Sequence, residues 1–113
     1  MGKKSRDKGA GYEREVCSEL RLCFPECCRN LEQTRTADGR DLDNTKPLCI
    51  QCKRRRNVTM GVLKAGLDEA IASCDADYAF PCVVTRSDDG VSLITFRLGD
   101  FMDMYFEKEH WED

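Results

Sequence analysis

The chain has 113 residues, enough for one domain with a modest core, and its 41% hydrophobic and 35% charged residues are too evenly balanced for a disordered segment. No apolar run approaches the roughly 20 residues of a membrane span. The opening MGKKSRDKGAG has basic residues without the apolar stretch of a secretory signal, and Arg6 stands where a myristoylation motif wants Ser or Thr. The formal charge of −3 hides a polarity: residues 1–64 carry 15 Lys and Arg against 9 Asp and Glu, a net +6, whereas residues 65–113 carry 3 against 12, a net −9. Such a chain can offer a basic face to a polyanion while staying acidic as a whole.

Residues 1–9 read as a flexible basic arm carrying Lys3, Lys4, Arg6 and Lys8. From Gly11 to Phe24, Val16, Cys17, Leu20, Cys23 and Phe24 recur at helical spacing and Pro25 closes the segment. Glu13 falls three, four and seven positions before Val16, Cys17 and Leu20, which puts it on the apolar stripe. The plainer account of Glu13 is a first-turn carboxylate that suits the helix dipole.

Three strands in a meander follow: Arg29–Thr36, with Leu31, Gln33 and Arg35 on one face; Arg40–Asp43; and Pro47–Lys53, the turns being ADG and NTKP. The period of two puts Asp41 with Asp43, and Cys49 with Gln51 and Lys53, while Leu48, Ile50 and Cys52 face the other way. Eight cysteines suit a disulfide framework only in a secreted chain, so reduced thiols in a cytoplasmic protein are the reading. A zinc site drawn from Cys23, Cys27, Cys28, Cys49 and Cys52 is the rival, weakened because strand residues three apart point to opposite faces.

Met60, Leu63, Leu67, Ile71 and Cys74 mark a second amphipathic helix capped by Asn57 or Thr59. YAFPCVVTR reads as a strand in which Pro81 argues for an edge position or a bulge. SDDG is a hairpin turn, VSLITFRL returns with Ile94, Phe96 and Leu98 alternating, and Asp100 caps a short helix through Phe106. Residues 107–113 form an acidic tail. The prediction is a single α/β domain over 1–113, a mixed β-sheet flanked by helices in the order α-β-β-β-α-β-β-α.

A lysine in the middle of an apolar strand needs a charge to meet. Glu13, Asp41 and Gln51 are oxygen donors that converge near Lys53 if the first helix packs across the sheet, a set suited to Mg²⁺ and to phosphodiester hydrolysis. Arg54, Arg55 and Arg56 read as phosphate contacts, the arm tracks DNA in the same way, and Arg35 and Arg40 flank the site. The lone histidine, His110, lies in the acidic tail, so a histidine base is not credible, and no phosphate-binding glycine loop occurs.

GYERE, GRDLD and CIQCK, in that order, resemble the PD-(D/E)XK nuclease superfamily, and most closely its Holliday-junction resolvases of archaeal and phage type, from about Lys8 to Tyr105. The resemblance implies a restriction-endonuclease-like core and a homodimeric, Mg²⁺-dependent endodeoxyribonuclease acting on branched DNA, with Mn²⁺ as a substitute metal. A phage-encoded member would work in the host cytoplasm. Glu13 resembles the helical metal-binding glutamate, Asp41 the central metal-ligating aspartate, Lys53 the lysine that polarises the attacking water, and the Cys52 carbonyl the backbone ligand between the motif residues. Gln51 stands where most members have a carboxylate, and Asp43 is the candidate to supply the missing charge. The alternatives are another nuclease of the superfamily, restriction- or repair-like, or a non-catalytic DNA-binding module.

Overall fold

The computed structural model describes residues 2–31, 39–88 and 90–107, with side chains from residue 9 onward. The first helix, α1, spans Gly2–Leu20 and so begins nine residues before the expected start. Lys and Arg lose little rotamer freedom in a helix and no proline interrupts them, so the segment read as an arm is helical backbone continuous with α1. Tyr12, Val16 and Cys17 are buried, with Leu20 and Phe24 packed against them. Cys23, expected on the same stripe, is exposed because the helix stops at Leu20 and a turn redirects the chain.

Two short strands, β1 (Cys28–Arg29) and β2 (Leu42–Asp43), pair antiparallel. Residues 32–38, which include most of the expected first strand, lie outside the described residues. Strand β3 (Leu48–Arg54) pairs in parallel with β4 (Phe80–Arg86), and α2 (Met60–Ser73) is the crossover that a parallel pair requires. Strand β5 (Leu93–Thr95) returns antiparallel to β4, and α3 (Leu98–Glu107) follows. The architecture is thus α/β: a mixed sheet of order β3-β4-β5 flanked by helices, beside a small two-stranded antiparallel sheet. The expected meander does not form one ladder. The chain bends at Asp41, whose side chain takes up a β3 amide, and β2 starts only at Leu42. No described helix is long and apolar enough to cross a membrane.

The alternation in β3 holds. Leu48, Ile50 and Cys52 join a cluster with Tyr12, Val16 and Cys17 of α1 and with Phe80, Cys82 and Val84 of β4. Cys49, Gln51 and Lys53 turn instead to α2, where the Cys49 thiol lies 3.3 Å from the Ala70 carbonyl. Helix α1 therefore covers one face of the sheet and α2 the other, with Met104 of α3 packed against the cluster on the α1 side.

Thr59 caps α2, its hydroxyl accepting the Val62 N–H at 3.2 Å. Of the expected apolar stripe Met60 is exposed and Leu63, Leu67, Ile71 and Cys74 are half-buried, whereas the positions packed most closely are Gly66 and Ala70. A Cβ on Gly66 would stand 2.6 Å from Val83 Cγ2 and 3.6 Å from Lys53 Cγ. Small side chains thus let the helix backbone settle directly on β3 and β4.

Pro81 is the other departure, since β4 lies in the centre of its sheet rather than at an edge. The Phe80 N–H donates to the Pro47 carbonyl on the β3 side, so the nitrogen of Pro81 faces the opposite side. There β5 pairs only with Val83–Thr85 and asks nothing of residue 81. A central strand tolerates the missing N–H where its neighbour has not yet begun.

Candidate active site

Asp41 is held from three directions. Its N–H donates to the Ile50 carbonyl of β3 (3.1 Å), its carbonyl accepts the Asn30 N–H (2.9 Å), and its carboxylate Oδ2 accepts the Cys52 N–H (2.7 Å). The side chain is buried. Burial pushes its carboxyl up to about 7; the Cys52 amide and Lys53 oppose the rise, while Glu13 and Glu69 add to it. Cys52 is extended, so its C=O leaves the strand on the same side as the N–H bonded to Asp41.

A cavity of about 500 Å³ opens at this edge, and Glu13, Asp41, Gln51, Cys52, Lys53 and Glu69 are among its lining residues. The four residues singled out as catalytic from sequence are therefore in one place. Gln51 is buried, and its amide nitrogen donates to the Gly39 carbonyl (3.2 Å) and toward Ser73 Oγ (3.5 Å). That pins the amide and fixes which end carries the carbonyl oxygen. Lys53 Nζ lies 2.6 Å from Glu69 Oε2, with the lysine side chain only 17% exposed. Glu13, mostly buried as its place on the apolar stripe predicts, accepts a charge-assisted bond from Arg29 Nε at 2.8 Å.

Other expected residues stand elsewhere. Asp43 does not line the cavity: because β2 starts at Leu42, alternation does not carry it to Asp41, and it pairs with Arg40 at 2.9 Å. Arg40 is further engaged by Asp75 (3.6 Å) and stacks over the Tyr78 ring at 3.5 Å, a structural role rather than a free cation at the site. Of the arginine run, Arg55 lines the cavity, Arg56 is exposed, and Arg54 closes on Asp88 at 2.6 Å. The side chains of Lys3, Lys4, Arg6 and Lys8 and the whole of Arg35 lie outside the described residues, as does His110.

Sequence reasoning missed Glu69, Asp68 and Arg29. Asp68 and Glu69 reach the cavity from α2, and the signal was present as the small residues Gly66, Ala70 and Ser73 around Glu69, the pattern of a helix that approaches a sheet closely. Arg29 meets Glu13 across sixteen positions, with no local pattern to announce it.

The oxygens gathered here are hard donors of the kind a divalent cation takes. Among the described residues no three acidic, histidine or cysteine side chains converge closely enough to hold a metal by themselves. Mg²⁺ needs only one or two carboxylates, completing its shell with waters and substrate oxygens, and the Gln51 and Cys52 carbonyls are further candidates. Burial is the chief reason the Asp41 carboxyl is raised, with Glu13 and Glu69 adding to it and Lys53 opposing it, so a cation beside it would relieve a charge that burial penalises. In donor type, though not as a complete set of side chains, the residues suit such a cation. Among the described residues no three cysteines gather as a metal-holding group; burial pushes the Cys27 and Cys49 thiols up to about 12, in keeping with packing as small hydrophobes. Comparison with protein-family models, with curated proteins and with solved structures returns no match.

Proposed function

We propose that the chain is a metal-dependent DNA endonuclease of PD-(D/E)XK type, a Gln-x-Lys variant that resolves four-way junctions as a homodimer. Two symmetric cuts need two sites, and each chain supplies one. One observation carries the reading: Glu13, Asp41, Gln51 and Lys53 line a single cavity around a buried carboxyl raised to about 7. Asp41, the Cys52 carbonyl and Gln51 would hold Mg²⁺ or Mn²⁺, with Glu13 or Glu69 as the second carboxylate. When bound, the cation supplies Lewis acidity toward phosphate oxygen and acidifies its water. Glu69 steadies the Lys53 ammonium, which orients the attacking water and offsets charge on the phosphate. Arg55, at the cavity, meets the adjoining backbone. The protein would act in the cytoplasm, that of the host if phage-encoded.

A second reading, a DNA-binding module without catalysis, draws on the ion pairs that already engage Glu13 and Lys53. The test is cleavage of labelled four-way junction and matched linear duplex with Mg²⁺ or Mn²⁺, in wild type, Asp41→Ala and Lys53→Ala. Junction cuts lost in both variants support the resolvase. Equal cutting of duplex points to another nuclease of the type, and binding with no cleavage favours the module.

A further inference from the structure

A second concavity of about 390 Å³ lies against α1 and β1, and its lining includes Arg14, Ser18, Arg21 and Arg29, with no carboxylate among the described residues. Arg14 lies on α1, and Arg21 directly follows its last residue, Leu20, with its N–H still donated to the Cys17 carbonyl at 3.1 Å. Arg29 approaches from β1. In a chain whose formal charge is −3, three guanidiniums around one groove form a local excess of positive charge that the composition conceals.

The three are held differently. Arg21 Nε donates to the Cys27 carbonyl at 3.0 Å, which fixes the guanidinium plane; its terminal N–H groups have no partner among the described residues. Arg14 is exposed and makes no ion pair among the described residues. Arg29 spends Nε on Glu13. Guanidinium forks match phosphate oxygens bidentately, and Arg serves such recognition better than Lys.

We propose that this groove is a second phosphate-binding surface, gripping the DNA backbone beside the cavity in which it is cut. The inference rests on the nuclease reading for the identity of the polyanion. What ties the two sites is the Glu13–Arg29 pair, since Glu13 lines the cavity and Arg29 lines the groove. One salt bridge is the partition between them, and a backbone leaving the cavity at Glu13 meets the arginines next.

The experiment is fluorescence anisotropy of a labelled duplex in EDTA, across a salt series, with full-length wild type and the Arg14→Gln/Arg21→Gln double variant. Each phosphate contact contributes roughly 0.9 to the slope of log affinity against log salt. The double variant is expected to lose about 1.8 from that slope and to bind roughly 60-fold more weakly at about 0.1 M salt, taking electrostatic binding to vanish near 1 M. An Arg14→Lys/Arg21→Lys protein retains most of the slope. Both residues are exposed, so an unchanged circular dichroism melt shows that the fold persists.

Slope and affinity equal to wild type would overturn the groove. So would poly-glutamate displacing the duplex at equal charge, with its own affinity falling in the variant, because the surface would then serve acidic protein. Binding in EDTA does not depend on catalysis. Metal-dependent cleavage with an unchanged slope discards the groove and keeps the nuclease; a reduced slope without cleavage supports the groove alone.

Discussion

Replacing Asp41 by Asn is expected to stabilise the metal-free protein while abolishing cleavage. The folded chain keeps a proton on this carboxyl up to about pH 7 because burial penalises the charge, with Glu13 and Glu69 adding to the penalty, whereas its ordinary value is 3.8. Between those two values the folded state binds more protons than the unfolded one, so stability falls as pH rises, and the loss is complete above pH 7. At 1.36 kcal/mol per pH unit the gap comes to about 4 kcal/mol. Asparagine carries no charge and its amide oxygen can still accept the Cys52 N–H. The variant should therefore match wild type near pH 4 and exceed it by up to about 4 kcal/mol at pH 8, a rise in Tm of roughly 10–20 °C. Urea melts in EDTA at pH 4.5, 6 and 8 read this directly. Adding Mg²⁺ at pH 8 should recover stability in wild type and not in the variant. A difference that stays flat with pH, or a variant less stable at pH 8, would refute the argument, since the carboxylate would then be charged without cost.

Lys53→Ala should lower kcat by about 10²–10⁴, the range for a positioned group in proton transfer, with DNA binding in EDTA changed far less. Glu69→Gln removes a charge that raises the Asp41 carboxyl, so Asp41 should titrate below its wild-type value, measurable by carboxyl NMR and by the acid limb of the pH–rate profile. Gly66→Ala forces a methyl to within 2.6 Å of Val83 and should cost about 1–3 kcal/mol by overpacking; its urea midpoint tests this, and cleavage should fall as α2 and Glu69 move off Lys53. Thr59→Ala removes the N-cap of α2 and should cost about 1 kcal/mol, with catalysis at low temperature unchanged.

What could be read in advance was what a single element encodes. The stripe that carries Glu13 and the alternation that aligns Gln51 with Lys53 are periodicities, and both appear in the fold as expected. Contacts between elements were less legible. Asp43 seemed equivalent to Asp41 under a period of two, but a bend at Asp41 breaks that period and delivers Asp43 to Arg40. In α2 the large apolar residues drew attention from Gly66 and Ala70, although close approach selects small side chains, and with them went Glu69. Arg54 looked equal to Arg55 and Arg56 until Asp88, from the loop after β4, closed on it.

Pro81 has a further effect, on association between chains. Strand β5 covers only Val83–Thr85 of β4, so on that side the first half of β4 has no strand neighbour among the described residues. Those residues are buried in the folded chain, but when the packing over them opens, an unpaired apolar strand is a template on which another chain can dock its backbone and seed aggregates. Proline offers no N–H to an incoming strand, and its ring crowds the position where one would lie. The residue that sequence reasoning took for an edge marker thus sits inside a central strand, where it denies an N–H to any strand that reaches the half β5 does not pair.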